Sequence, residues 1–179
     1  MAFVRLATID DAPGIARVHV DAWREAYKGL IDADSLAALD VDQRADGWRR
    51  WLGNDPALNQ EQHTCIVAVD GSDAVAGWAT YGTGRDPGWE HYGELAGFYA
   101  HPSAWSTGVG RAMAERVLSD LAAMGFKRSY LWVLRGNERA IRFYERAGWA
   151  ADGGAKTVEF RTGGDLHELR FVRDLQRHS

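Results

Sequence analysis

The chain has 179 residues and a formal net charge of −4, with 46% hydrophobic and 26% charged residues. These values predict one globular domain over residues 1–179 with a sizeable core, and the negative charge argues against a nucleic-acid partner. The single cysteine, Cys65, excludes an internal disulfide and fits a cytoplasmic location, while no apolar run approaches the ~18 residues that a membrane-spanning helix needs.

Apolar spacing and turn residues predict the elements of the N-terminal half. In chain order these are a strand over 3–7, a helix with Ile15, Val18, Ala22 and Ala26 on one face, two short helices over 32–39 and 42–52, and a hairpin of strands 63–69 and 74–81. The next stretch, residues 82–93, holds four glycines and a proline, which predicts a mobile loop.

The C-terminal half is organised around a strand–turn–helix–strand–helix unit. Its predicted elements are, in chain order, a strand over 95–100, a helix between Gly108 and Gly125, a strand over 129–134, a helix between the N-cap Asn137 and Gly148, and a hairpin of strands 156–161 and 166–173 turning at 162–165. The order predicts a parallel strand pair joined by a right-handed helical crossover.

The glycine turn before the long helix is the first candidate for chemistry. Residues 106–111 (STGVGR) direct unpaired backbone N–H groups off a helix start, which suits a phosphate or pyrophosphate. A tight strand-to-helix turn without a ligand is the alternative that this stretch alone leaves open. Arg111 and Ala112 stand where a Walker loop needs Lys and then Ser or Thr, and Met113 stands where a dinucleotide fingerprint needs Gly or Ala, so both of those sites are excluded.

A longer series of motifs contains this turn. Residues 105–110 (WSTGVG) follow the strand, Asn137 opens the next helix, and 144–149 (YERAGW) end it. In this order the motifs resemble the GNAT superfamily of acyl-CoA-dependent N-acyltransferases, whose pyrophosphate motif reads Arg/Gln-x-x-Gly-x-Gly/Ala. Trp105 departs from the usual Arg or Gln, and Ser106 stands where Gly is common. The resemblance implies a mixed α/β (α+β) fold, with a splayed parallel strand pair in a central mixed sheet and helices on both faces.

The cofactor that the resemblance implies is acetyl-CoA as a co-substrate, with no metal. Its pantetheine arm is expected to pair with β-strand backbone like an added strand, and Asn137 is expected to contact this arm as well as to cap its helix. The residues implied for the arm are Phe98, Tyr99 and Ala100. Those implied for the pyrophosphate are Ser106, Thr107, Gly108, Val109, Gly110 and Arg111.

Tyr144 is the candidate general acid. Attack of an amine on a thioester expels a thiolate, and a phenol with a pKa of ~10 can protonate it. Ile141 lies on the same face of the predicted helix, so Tyr144 is expected to point toward the sheet. The alternative is a core tyrosine that only packs beneath the splayed strands.

Glu94 is the candidate general base. An amine with a pKa of ~10 is mostly protonated at neutral pH and must lose a proton before it attacks. Some GNAT enzymes carry a Glu sixteen residues before the second motif glycine, which is the spacing from Glu94 to Gly110. Other members place a Glu five residues before the Asn, where this chain has Trp132. The alternative for Glu94 is a strand-end carboxylate in water.

The acceptor is less well specified. Trp23, Tyr27 and Trp89 lie beside the loops where an acceptor would enter, and aromatic walls suit a small amine, although core packing is the commoner role of tryptophan. One helix face is basic, and it is either solvated or meets a CoA phosphate: Arg139, Arg142 and Arg146.

These observations predict an N-acetyltransferase that moves an acetyl group from acetyl-CoA to a primary amine by direct attack in a ternary complex. A small molecule is the expected acceptor. Acetylation of a protein N-terminus or lysine and a non-catalytic acyl-CoA sensor are the alternatives. Neither a nucleic acid nor a membrane is expected as a partner, and the chain is expected to act alone or as a homodimer.

Overall fold

A computed structural model describes residues 3–54, 63–159 and 164–175. The strands in these ranges are β1 (Phe3–Leu6), β2 (His63–Val69), β3 (Val75–Thr83), β4 (Gly93–Ala100), β5 (Arg128–Leu134), β6 (Ala150–Glu159) and β7 (Asp165–Asp174). The α-helices are α1 (Ala12–Ala26), α2 (Ala33–Ala37), α3 (Val41–Leu52), α4 (Val109–Ala123) and α5 (Glu138–Arg146). Each predicted strand and helix has a counterpart here.

The strands form one mixed sheet in the order β1-β2-β3-β4-β5-β7-β6. All neighbouring pairs are antiparallel except β4 and β5, which are parallel. That pair is joined only from Gly93↔Ser129 to Leu95↔Leu131, although β4 continues to Ala100. The two strands therefore separate toward their C-terminal ends, which confirms the predicted splay.

A β-bulge changes the direction of side chains along β4. Tyr81 pairs with Leu95 but Thr80 pairs with Gly97, so Ala96 is one residue extra. Leu95 and Phe98 consequently face the same side of the sheet and contact the same core. The bulge lies where β4 begins to part from β5.

Helices cover both faces of the sheet, as predicted. On the face covered by α4 and α5, Met113 and Val117 of α4 and Tyr144 of α5 enter the larger core. On the opposite face, covered by α1 and α3, Ile15 and Val18 of α1 join a second core. None of the helices in the described ranges combines the length and the apolar character needed to cross a bilayer.

The helices around the splay begin and end at the predicted residues. Gly108 precedes α4 with a φ of 95°, in the left-handed region that favours glycine. The side chain of Asn137 accepts a hydrogen bond from the backbone N–H of Ala140 at 3.3 Å and so caps α5. Gly125 and Gly148 follow their helices with φ values of 94° and 91°.

The C-terminal hairpin differs from its prediction at one end. β6 begins at Ala150, six residues before the predicted start. The start was not predicted because segment 152–154 is polar and contains glycines, and the strand is irregular in this segment. Its register with β7 shifts between Ala151 and Ala155. The predicted end of this strand at 160–161 and the turn residues 162–163 lie outside the described residues.

The glycine-rich connection between β3 and β4 is shorter than predicted. The two strands extend into it, to Thr83 and from Gly93, and leave residues 84–92 as the loop. Within the loop, the backbone N–H of Gly84 donates to the carbonyl of Tyr92 at 2.9 Å. The mobility of this loop stays a prediction.

Candidate active site

The splay between β4 and β5 opens a cavity of about 560 Å³. It reaches both faces of the sheet, because its lining combines α4 and α5 residues with α1 residues. Eleven of the predicted site residues line it: Tyr27, Glu94, Phe98, Tyr99, Ala100, Ser106, Gly108, Gly110, Arg111, Asn137 and Tyr144.

Four predicted site residues lie outside the cavity lining. Thr107 is exposed, and its hydroxyl donates to the carbonyl of Ala104 at 2.6 Å. Val109 is buried in the core beneath α4. Trp23 packs edge-on against Tyr27 at 4.9 Å between ring centroids, and Trp89 packs against a neighbouring aromatic ring in loop 84–92.

The turn before α4 has the geometry of an anion site. Ser106 and Gly108 have φ values of 64° and 95°, and the first helical hydrogen bond runs from Ala112 N–H to the carbonyl of Gly108 at 3.0 Å. The N–H groups at the start of the helix consequently have no intrahelical acceptor. A Cβ at Gly108 would meet nothing within 4 Å, whereas one at Gly110 would lie 3.1 Å from the ring of Phe143. Gly110 therefore has a packing reason of its own, since it admits α5 beside the turn.

Trp105, the departure from the family motif, supports an arginine. The guanidinium of Arg139 lies 4.0 Å from the centroid of the Trp105 ring, and the Trp105 indole N–H donates to the carbonyl of Ala100 at 3.0 Å. Both side chains line the cavity. A cation is thus held beside the turn by stacking, although the motif position itself carries none. Arg142 and Arg146 line the same cavity, so this basic face borders the site.

Tyr144 projects from α5 into the cavity. Its ring packs against Phe98 at 6.1 Å and Trp149 at 5.9 Å between centroids. Burial, with a smaller effect from Tyr99, raises the pKa of Tyr144 above its usual value. The phenol consequently keeps its proton at neutral pH. Within the described residues its hydroxyl has no hydrogen-bond partner, and it is free to meet a group in the cavity.

Two further tyrosines lie close to Tyr144. The hydroxyls of Tyr27, which follows α1, and Tyr99 on β4 are 3.1 Å apart and hydrogen-bonded. Burial is the main cause that raises the pKa of each. A smaller electrostatic effect of Tyr144 also raises the pKa of Tyr27, and one of Tyr99 raises the pKa of Tyr144. The three phenols thus form a neutral, polar wall where the cavity crosses the sheet.

Glu94 is buried and already paired. Its two carboxylate oxygens accept hydrogen bonds from Nε and Nη2 of Arg85 at 2.8 and 2.9 Å. His63 Nε2 lies 3.7 Å from the same carboxylate and 2.9 Å from the carbonyl of Thr83. Burial is the main cause that lowers the pKa of His63, so this imidazole stays neutral near pH 7. Glu94 therefore borders the cavity as half of a bidentate ion pair.

The cavity residues that were not identified from the sequence as parts of the site include Arg85, Trp132, Lys156 and Glu168. The Trp132 indole N–H donates to Asp86 at 2.7 Å, and Lys156 Nζ lies 4.3 Å from the centroid of the Trp132 ring. Lys156 and Glu168 pair across β6 and β7 at 3.6 Å. The alternation of polar and apolar residues along β6 and β7 could have indicated that Lys156 and Glu168 share one face of the sheet. This alternation does not show which face of the sheet borders the cavity. Among the described residues, no group of three or more His, Cys, Asp and Glu side chains could hold a metal ion.

Comparison with known proteins agrees with this geometry. The uncharacterized N-acetyltransferase YuaI of Bacillus subtilis is 31% identical over 145 residues, which cover 81% of this chain and 78% of YuaI. The PaiA N-acetyltransferase of Thermoplasma acidophilum, solved in complex with coenzyme A, has a TM-score of 0.70 at 14% identity, over 97% of this chain and 99% of that one. YncA of Salmonella typhimurium, solved with acetyl-CoA, has a TM-score of 0.67 at 20% identity, over 100% and 96%. The model of the acetyltransferase (GNAT) family matches residues 15–149. This chain therefore belongs to the acetyltransferase (GNAT) family.

Proposed function

We propose that this chain transfers the acetyl group of acetyl-CoA to the primary amine of a small molecule, by direct attack in a ternary complex. One observation carries the proposal. A single cavity joins the glycine turn on the α4/α5 face to an aromatic and charged wall on the α1/α3 face. A donor and an acceptor entering from opposite faces would meet at the splay. Holding both reactants in line supplies a large part of the rate of such a transfer.

The donor side fits acetyl-CoA. The turn 106–111 offers unpaired N–H groups at a helix start for the pyrophosphate, and Arg139 and Arg142 add positive charge beside it. Beyond Leu95, β4 has no β5 partner within the described residues, so its backbone can pair with the pantetheine arm near Phe98. The carbonyl of Ala100 already accepts from Trp105, and an arm bonded there would use its second lone pair.

Tyr144 is the acid in this proposal. It reaches the cavity from the α4/α5 face, and burial keeps its phenol protonated at neutral pH. Donation of this proton makes the sulfur a better leaving group. The role of Glu94 as the general base stays a prediction. A base must have a carboxylate oxygen available for a proton, whereas both oxygens of Glu94 accept hydrogen bonds from Arg85.

The acceptor side favours a small molecule. Tyr27, Trp132 and the folded loop 84–92 enclose it, and the loop is tied to β5 by the hydrogen bond from Trp132 to Asp86. A peptide needs an open groove, whereas an enclosed wall of aromatic and charged side chains suits a compact amine.

The test combines binding and turnover. Calorimetry should detect acetyl-CoA binding in the micromolar range. Dephosphorylated pantetheine should bind much more weakly, because it lacks the pyrophosphate that the turn is proposed to hold. A free-thiol assay over a panel of small amines and peptides should then show thiol release that depends on a small amine. Equal affinity for the two cofactor forms, or turnover with peptides alone, would contradict the proposal.

A further inference from the structure

We propose that Glu168 on β7 accepts the proton that the acceptor amine must lose, and that Glu94 instead positions Arg85. This inference rests on the proposed function, because it concerns the base of that reaction. Glu168 lies beyond residues 15–149, to which the family match is confined. It therefore belongs to the C-terminal hairpin and to none of the motifs on which the family assignment depends.

Glu94 is poorly placed to cycle a proton. Arg85 holds both of its oxygens, and the backbone N–H of Arg85 adds a third hydrogen bond at 3.1 Å. The Glu94 side chain is 7% exposed, whereas that of Arg85 is 61% exposed. Protonation of Glu94 would break a bidentate pair and leave the guanidinium without its counter-ion. The pair is better suited to fixing Arg85 at the edge of the cavity.

Glu168 has the access that Glu94 lacks. It is paired in register with Leu134, the last residue of β5, where β4 and β5 have already separated. Its side chain is 25% exposed and lines the cavity. Its partner Lys156 is 3.6 Å away, and within the described residues no hydrogen bond holds its carboxylate. An ammonium in the cavity can therefore reach a carboxylate oxygen without displacing a bidentate partner.

One lysine and two neutral phenols surround Glu168. Lys156 faces it from β6, Tyr27 from the C-terminal end of α1 and Tyr99 from β4. The negative charge of Glu168 adds to burial in raising the pKa of both tyrosines, so they stay neutral beside it. The side chains that β5 contributes to this part of the cavity are uncharged: Trp132 and Leu134. An incoming ammonium shares the carboxylate with Lys156, and Lys156 can pair with the carboxylate again once its proton has left for solvent.

The proton balance of the step is complete. The acceptor ammonium gives one proton to Glu168 and becomes the neutral amine, whose lone pair forms the C–N bond to the acetyl carbon. The C–S bond breaks, and the sulfur takes the proton of Tyr144. The nitrogen loses its second proton as the amide forms, and that proton replaces the one that Tyr144 gave. Glu168 returns its proton to solvent, to which its side chain is partly open.

The test uses the full chain and two amines that differ in basicity. The probes are 2-phenylethylamine, whose aromatic body matches the cavity wall, and its β,β-difluoro counterpart, which is largely neutral at pH 7.5. Glu168→Gln should lower kcat/KM for 2-phenylethylamine by ~10²-fold, and by less than about fivefold for the difluoro amine, because a neutral amine needs no base. Glu94→Gln should lower both rates by a similar factor, since it disturbs Arg85 whatever the amine.

Three controls keep the outcomes distinct. Glu159→Gln, on the exposed surface of β6 and outside the cavity lining, should leave both rates unchanged. Glu168→Asp keeps a carboxylate and should regain at least ~10-fold of the loss, which also answers the case in which Glu168→Gln fails to fold. Thermal unfolding checks the fold of each variant.

Two results would overturn the assignment. One is an equal loss of both rates in Glu168→Gln, and the other is a loss in Glu94→Gln that depends on amine basicity. If the wild type binds acetyl-CoA but no amine of the panel releases thiol, the proposed function itself fails, and the role of Glu168 fails with it. Thiol release with 2-phenylethylamine that survives Glu168→Gln at the wild-type rate contradicts only the role of Glu168.

Discussion

His19 on α1 gives a stability prediction whose sign and size follow from its surroundings. Both of its ring nitrogens are buried and have no hydrogen-bond partner among the described residues. Burial, with a smaller effect from the charge of Arg44, lowers the pKa of His19 from 6.5 to about 3. Its ring stacks on Tyr99 at 5.7 Å between centroids with an interplanar angle of 9°. Three tryptophans surround the same imidazole: Trp23, Trp48 and Trp78.

The direction of the pH effect follows from the depressed pKa. The folded protein keeps His19 neutral, whereas the unfolded chain takes up a proton below pH 6.5. The contribution of His19 is therefore complete above pH 6.5 and is lost as the pH falls toward about 3. Each pH unit in this window costs about 1.36 kcal/mol. Lowering the pH from 7.5 to 5.0 should then remove about 2 kcal/mol of unfolding free energy through His19 alone.

His19→Phe isolates this effect. Phenylalanine keeps an aromatic ring against Tyr99 but binds no proton, and it removes two buried nitrogens that lack partners. At pH 7.5 the variant should be at least as stable as the wild type. Urea unfolding followed by tryptophan fluorescence at pH 7.5 and 5.0 measures both proteins. Other acid-sensitive groups, such as His63 and Asp11, cancel in the comparison, so the variant should gain about 2 kcal/mol relative to the wild type at the lower pH.

Parallel pH dependences in the two proteins would refute the reasoning, because they would mean that folded His19 protonates near its ordinary pKa. A loss of stability in His19→Phe at pH 7.5 has two readings, which His19→Leu separates. If the smaller side chain restores stability, the phenyl ring was too large for the site. If neither variant folds well, the imidazole nitrogens are needed, and the cost assigned to burying them is wrong.

Three further predictions concern the active site. Tyr144→Phe should reduce turnover ~10²- to 10⁴-fold, while acetyl-CoA affinity, measured by calorimetry, should fall only a few-fold. An acyl donor with a more acidic thiol should partly restore the turnover of this variant. Wild-type turnover in the variant would mean that Tyr144 has only a packing role. Gly108→Val should abolish acetyl-CoA binding in calorimetry and, because Gly108 has a φ of 95°, should also lower stability by about 1–2 kcal/mol; unchanged affinity would move the pyrophosphate elsewhere. Arg139→Ala should weaken acetyl-CoA binding several-fold, most at low salt, and Trp105→Leu should do the same more mildly; a salt-independent or absent effect would leave Arg139 as a solvated side chain.

The fold was predictable from the sequence where local signals agree. The spacing of Ile15, Val18 and Ala22 gave the buried face of α1, and all three are buried. Asn137 and Gly148 marked the ends of α5 because a cap and a left-handed turn depend only on neighbouring residues. The order of these elements, with the family resemblance, was enough to predict the parallel pair and its splay.

The partners within the site depend on register, which the sequence does not encode locally. Arg85 meets Glu94 only because residues 84–92 fold back between β3 and β4. Glu168 lies at the cavity because β7 pairs with β5 on one side and with β6 on the other. The register with β6 includes an irregularity that the spacing of residues in the sequence does not predict. The same limit explains Trp89, whose position beside an expected acceptor loop did not reveal that it would pack against Tyr92 of its own loop, Tyr130 of β5 and Arg170 of β7.

The short pairing between β4 and β5 has a mechanical consequence. The sheet consists of two wings, β1–β4 and β5–β7, which share a seam of three residue pairs from Gly93↔Ser129 to Leu95↔Leu131. A molecule that inserts beyond these three pairs can form hydrogen bonds to both halves of the sheet. It then supplies backbone hydrogen bonds that β4 and β5 do not form with each other, and so holds the two halves together. Its free energy of binding then opposes separation of the wings, by RT ln(1 + [L]/Kd). Strands as remote as β1 and β6 should therefore gain hydrogen-exchange protection together when the site is filled, although β1 contributes no residue to the cavity lining and β6 contributes Lys156 alone.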